Sequence, residues 1–84
     1  MKIIIIDAEK LTSKSAAHQY LADVMSFPDY YGKNLDALAD CLSELSESTA
    51  VIFKSIMNAG EYANAIFEVF DEFFKKDFRI IYFS

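Results

Sequence analysis

Ile3 to Ile6 form an unbroken β-branched run that Asp7 ends, which predicts a strand covered on at least one face. Ala17, Tyr20, Leu21 and Val24 then recur at three- and four-residue spacing. That pattern predicts an amphipathic helix, capped by Ser13 or Ser15 and running to about Met25. Pro28 forbids its continuation, so residues 27–32 read as a connector. Asn34 is placed to cap a second helix through about Leu45, and the small polar residues Ser46–Thr49 predict a turn. Ala50–Phe53 read as a second strand, and Ser55–Gly60 as an irregular segment or a single helical turn. The longest helix is expected from Glu61 to Lys76, with Ile66, Phe67, Phe70, Phe73 and Phe74 facing inward. Acids at its start and Lys75 and Lys76 at its end suit the helix dipole. Arg79–Phe83 close the chain as a third strand.

Strands joined by helical crossovers are expected to be parallel, with right-handed connections. Two crossovers on one face give strand order 1-2-3, whereas order 2-1-3 needs helices on both faces, for which the chain is too short. The expected fold is therefore α/β: one two-layer domain over residues 1–84, a three-stranded parallel sheet with helices on one face. A chain of 84 residues buries only about 60–65% of its unfolded surface, so its core must be dense. The sequence is 54% hydrophobic and holds eight phenylalanines, enough to supply such a core.

Charge changes the picture. The formal net charge is −5, and from Asp29 to Glu72 nine acids face only Lys33 and Lys54. Such a surface repels nucleic acid and anionic membranes and attracts basic partners. Cys41 is the only cysteine, which excludes an intrachain disulfide and a cysteine-based zinc site built from this chain alone. The isoleucine run is too short for a signal peptide, and no stretch approaches the ~20 apolar residues that span a bilayer. A cytoplasmic protein is expected. No phosphate-binding glycine loop, nucleophile elbow or metal motif is present, so neither an enzyme nor a cofactor is expected. His18, mid-helix without a nucleophile in its motif, is expected at the surface or partly packed. Of Tyr30 and Tyr31, one ring is expected to pack under the domain and the other to be available to a partner.

On a helical wheel at about 100° per residue, Leu35, Leu38, Cys41, Leu42 and Leu45 fall on one side and are assigned to the core. Asp36, Ala39, Asp40, Ser43 and Glu47 share the opposite side, with Glu44 at its margin. Asp36 and Asp40 are one turn apart and no base in the helix neutralises them, which costs a few tenths of a kcal/mol. This face is either a solvated surface or an anionic surface that imitates phosphates. Periodicity does not choose between the two.

The segment Tyr30-Tyr-Gly-Lys-Asn-Leu-Asp-Ala-Leu-Ala-Asp-Cys-Leu42 resembles the signature of the barstar family, a YYGxNLDALWDCL-type run opening the second helix. Pro28 precedes it at the expected distance, and a looser likeness extends over nearly the whole chain. The resemblance implies an intracellular inhibitor of a small, basic, barnase-like and guanyl-specific ribonuclease, monomeric before it binds. It implies that the second helix and the preceding loop cover the nuclease active site. Tyr30 would then pack toward the catalytic histidine, Asp36 and Asp40 would face cationic groups with Asp40 in the phosphate pocket, and Ser43 would border that contact. Glu72 would add a peripheral ion pair, although pairing of Asp71 and Glu72 with Lys75 or Lys76 is an equal alternative. Asn34, Ala39 and Glu44 complete the expected contact. Ala39 stands where the family usually has tryptophan, and Glu44 and Leu45 replace a small residue and a second aromatic. Two other readings are an interaction module of the same fold that binds a different basic partner, and a small hydrolase or metal-dependent enzyme, which no motif supports.

Overall fold

A computed structural model describes residues 2–45 and 48–84. Strands β1 (Lys2–Asp7), β2 (Thr49–Lys54) and β3 (Ile80–Tyr82) form one parallel sheet in the order β1-β2-β3. The register pairs Ile4 with Val51, Ile6 with Phe53, and Phe53 with Tyr82. Between the strands lie α1 (Lys14–Met25), α2 (Leu35–Ser43) and α3 (Glu61–Phe74). Short 3₁₀ turns follow β1 (Ala8–Lys10), β2 (Ile56–Asn58) and α3 (Lys75–Asp77). The α/β architecture and the strand order are those expected from the sequence.

Alternation along the strands decides what is buried. Ile4, Ile6, Val51 and Phe53 point into the core, while Ile3 and Ile5 stay exposed on the other face. Phe53 is central: its ring lies 4.9 Å from Phe67 and 5.0 Å from Phe70, both edge-on, and 5.5 Å from the stacked ring of Tyr82. Such pairs add to the area each ring removes from water. From α3, Ala63, Ile66, Phe70 and Phe74 are buried and Phe67 and Phe73 are half-buried. Gly60 precedes α3 where a Cβ would stand 3.3 Å from the carbonyl oxygen of Thr12, so the backbones of the two connections approach closely there.

The ends of the elements carry the departures from expectation. Ser13, not Ser15, caps α1 by accepting from the Ala16 amide at 3.3 Å. Ser26 then leaves the helix in the left-handed region at φ 56°, so α1 ends before Pro28 is reached. Helix α2 stops at Ser43 rather than near Leu45. The Ser43 hydroxyl donates to the Asp40 carbonyl at 2.7 Å, and the Glu44 amide is shared between the carbonyls of Cys41 and Leu42, which tightens the last turn. Leu38 and Leu42 are buried, whereas Leu35, Cys41 and Leu45 are only half-buried at the margin of the core. Of the turn expected at Ser46–Thr49, Ser46 and Glu47 lie outside the described residues, and Thr49 is the buried first residue of β2. Helix α3 ends at Phe74, and Lys75 and Lys76 belong to the tighter turn beyond it. Arg79 precedes β3 and turns its guanidinium onto the carbonyls of Thr49 and Phe73 and over the Phe74 ring.

Candidate functional site

The connector between α1 and α2 is fixed by one ring and leaves the other free. Tyr31 is buried against Phe27, with ring centres 4.8 Å apart, and its hydroxyl meets Nδ1 of His18. The other ring nitrogen of His18 meets the Tyr62 hydroxyl of α3 at 2.7 Å. Tyr30, next in line, is 83% exposed. The division of labour expected of the two tyrosines is thus resolved.

His18 corrects an expectation. It is fully buried rather than at the surface or partly packed. Its signal was present in the sequence: His18, Leu21 and Met25 follow helical spacing on the side that Ala17 shares. Burial, and then the positive charge of Lys14, push its pKa below the ordinary histidine value, so the ring is held neutral. A neutral imidazole offers one donor and one acceptor, which is what two hydroxyls require. Burial also pushes the Tyr62 phenol up, and the Tyr31 phenol further, so both stay protonated.

The connector then runs straight into the second helix. Lys33 adopts a left-handed conformation, φ 53°, and its ammonium donates to the Gln19 side chain of α1 at 2.9 Å, away from the aspartates of α2. Asn34 caps α2 by accepting from the Ala37 amide at 2.7 Å, while its own amide donates to the Gly32 carbonyl at 3.3 Å. A Cβ on Gly32 would lie 3.3 Å from that of Ala37, so the connector rests on the first turn of the helix. Asn34 therefore shapes the site through the backbone.

Beyond the cap, Asp36, Asp40, Ser43 and Glu44 are exposed on one side of α2, while Glu47 of the expected face lies outside the described residues. Ala39 is half-buried: its methyl is too short to emerge between its longer neighbours. Among the described residues no ion pair engages Asp36, Asp40 or Glu44, and the pair that forms, Asp77 with Arg79 at 3.4 Å, involves neither α2 nor the connector. Tyr30, Tyr31 and Gly32 on one side and Asp40, Ser43 and Glu44 on the other enclose an open groove of about 440 Å³, floored by Ala37 and Cys41. Asp36 lies outside this groove, in an adjoining depression with Lys14, Asn34 and Tyr62.

Two residues complete the account. Glu72 is exposed on α3, unpaired with Lys75 or Lys76, and does not line the groove. Its neighbour Asp71 accepts instead from the Tyr82 hydroxyl at 2.6 Å. The Cys41 thiol is pushed up by burial and then by the charges of Glu44 and Asp40, so it lines the groove as a neutral, weakly polar group. Among the described residues no cluster of His, Cys, Asp and Glu has the geometry to hold a metal ion, and no helix is long and apolar enough to cross a membrane. What the arrangement offers is a concave, rigidly backed surface with a protruding aromatic ring and uncompensated carboxylates.

Comparison with known proteins identifies a family. The sequence model described as "Barstar (barnase inhibitor)" matches residues 1–80. A Bacillus subtilis (strain 168) protein named "Putative ribonuclease inhibitor YrdF" is 37% identical over an alignment of 89 positions, covering 96% of this chain and 98% of that one.

Proposed function

Since the chain belongs to the Barstar family, we propose that it inhibits a ribonuclease and that α2 and the connector before it form the inhibitory surface. The target is a barnase-like, guanyl-specific enzyme of the cytoplasm, and the chain acts as one unit without catalytic activity of its own. A ribonuclease site is a concave cluster of Arg, Lys and His built to hold phosphates. A carboxylate held in a fixed place can occupy it through short, charge-assisted hydrogen bonds. Asp40 takes the phosphate pocket in this reading, Tyr30 lies against the histidine side, and Asp36, Ser43 and Glu44 border the contact. Glu72 contributes from the periphery.

The observation that carries the reading is the state of Asp40: exposed, unpaired among the described residues, and set beside Tyr30 in a groove whose two walls are fixed by buried partners. Fixing the backbone that carries such a group before binding removes part of the ordering cost that association otherwise meets. Inhibition assays against a panel of small ribonucleases test it. Asp40→Ala should remove inhibition of the susceptible enzyme while circular dichroism and urea unfolding stay unchanged, and an equally inhibitory variant would overturn the assignment.

One observation favours a second reading. The half-buried methyl of Ala39 supplies no aromatic anchor at the centre of the helix face, and such anchors dominate many interfaces. An interaction module that docks a different basic protein would also use Asp36 and Asp40. Retention of the chain on immobilised guanyl-specific ribonuclease, or its absence, separates the two.

A further inference from the structure

Glu44 caps the carboxyl end of α2, and its side chain is exposed at the rim of the groove. The carbonyl end of a helix carries partial negative charge, so a carboxylate is disfavoured there. Asp40 stands one turn earlier, and like charges four residues apart repel each other. No base occupies the last turn of α2, and among the described residues no hydrogen bond or ion pair engages the Glu44 carboxylate. Lys33 is turned to Gln19, and Lys14 borders the adjoining depression beside Asp36. Asp36 itself sits in the first turn, where a negative charge suits the helix. Of the acids along α2 and its cap, Glu44 is therefore the one that folding alone disfavours most. Conflicts of this kind between local stability and residue choice are expected at functional positions.

The surroundings of Glu44 suit a planar cation. Across the groove stands the ring of Tyr30, 83% exposed, while Asp40 shares the wall with Glu44 and the floor of Ala37 and Cys41 brings no charge. After burial, the charges of Glu44 and Asp40 both push the Cys41 thiol up, so the two negative fields meet over the floor. A guanidinium is permanently charged, lies flat on an aromatic ring and presents parallel N–H donors to a carboxylate. An ammonium is a more strongly hydrated point charge without a flat face, and uses such a place less well.

We propose that Glu44 determines which ribonuclease the chain binds, an inference that rests on the reading of α2 as the inhibitory surface. Glu44 requires an arginine of the target, outside the phosphate pocket, whose guanidinium enters the groove against Tyr30 and pairs with the Glu44 carboxylate. Asp40 keeps its place in the phosphate pocket. Seating the cation relieves both the repulsion from Asp40 and the conflict with the helix end, which happens only in the matching complex. A nuclease without a base at that position leaves Glu44 unpaired in a drying interface, and one with an acid there repels it. The same residue thus attracts one class of enzyme and rejects others. Recognition by charge at the groove also accords with Ala39, which offers no ring at the centre of the helix face.

A nuclease that the parent chain inhibits, taken from a panel of small ribonucleases, provides the test. Glu44→Gln keeps the shape and removes the charge. Its inhibition constant should rise at least about tenfold, while its urea midpoint stays at or above that of the parent. Each arginine of the nuclease is replaced by alanine and combined with Glu44→Gln and with Asp40→Ala. One arginine should couple to Glu44, and different bases to Asp40. Glu44→Gly should also inhibit members of the panel that the parent does not, and no such widening overturns the role of Glu44 in selection. Full inhibition by Glu44→Gln beside none by Asp40→Ala overturns this inference and leaves the inhibitory surface standing. Unchanged inhibition by both variants, or a panel in which nothing is inhibited, overturns the two together. A fall in the urea midpoint of Glu44→Gln, or coupling of Glu44 to a lysine or to no base, also overturns the inference.

Discussion

His18 and Tyr31 share a hydrogen bond that ties helix α1 to the connector carrying Tyr30, and Tyr62 of α3 closes the other side of the imidazole at 2.7 Å. Three elements distant in sequence thus meet on one neutral ring that water does not reach. Protonation would turn its acceptor nitrogen into a donor and leave a buried hydroxyl proton without a partner. The fold therefore favours the neutral form, consistent with a pKa held below 6.5 by burial and by Lys14.

The pH dependence follows with a definite sign. Below about 6.5 the unfolded chain binds a proton at His18 that the folded chain refuses. The contribution is fully present above the unfolded value and is lost as pH falls from there toward the lower folded value. Each pH unit inside that window removes at most about 1.4 kcal/mol. Urea midpoints between pH 8 and pH 5 should fall for the parent chain and fall less for His18→Gln. Parallel curves for the two proteins would contradict the role given to His18.

Tyr30 and Tyr31 are adjacent and chemically identical, yet opposite effects are expected of them. Tyr31→Phe strands a nitrogen of His18 in the core and should cost about 1–3 kcal/mol in urea unfolding. Tyr30→Ala alters a ring that is 83% exposed and should change stability by less than about 0.5 kcal/mol, while weakening inhibition of the target nuclease. A stability loss at Tyr30, or none at Tyr31, would reverse the assignment of the two rings.

These contrasts show where the sequence was informative. The isoleucine run, the leucine spacing of α2 and the phenylalanine spacing of α3 place the strands and the core, because burial imposes periodicity directly on residue choice. Helix ends were less legible. The hydroxyl of Ser43 and the left-handed Ser26 end their helices through local hydrogen bonding that hydrophobic spacing does not encode. The exposed acids of α2 were readable from the wheel, but the groove beside them was not, since it depends on which tyrosine turns inward. The burial of His18 is legible only from the helical positions it shares with Leu21 and Met25, since a lone histidine as a residue type suits a surface as well as a core. The bare sheet face follows from two crossovers on the same side in a chain too short for a second helical layer, although the consecutive isoleucines by themselves suit a strand buried on both sides.

Ala39 offers a gain-of-function test. It lies between Asp36 and Asp40 on one side and Ser43 on the next turn, half-buried and without a group that reaches a partner. Ala39→Trp would project a large ring at the centre of the acidic face. If the target resembles barnase, the inhibition constant should tighten at least about tenfold, the equivalent of 1.4 kcal/mol, within the range of aromatic anchors. Unchanged or weaker inhibition would show that the partner lacks a pocket for the ring and would favour the second reading.

The final prediction concerns rates. Among the described residues nine acids lie on the helical side of the molecule and only Lys14 and Lys33 accompany them, with Lys33 drawn toward Gln19. A basic nuclease approaching from that side meets an attractive potential before any contact forms, an effect well known from the founding pair of this family. Salt shortens the reach of that potential from about 10 Å at 0.1 M to about 3 Å at 1 M. In the proposed complex, contacts at Asp40 would be shielded far less, because the partner would exclude water from them. Stopped-flow association should therefore slow by an order of magnitude or more between low and high salt, while dissociation changes by less than about threefold. Glu72→Ala, outside the groove yet on the acidic side, should reduce the association rate modestly and leave dissociation nearly unchanged. A salt-independent association rate would remove steering from the mechanism, and a Glu72→Ala effect confined to dissociation would move that residue from the periphery into the contact.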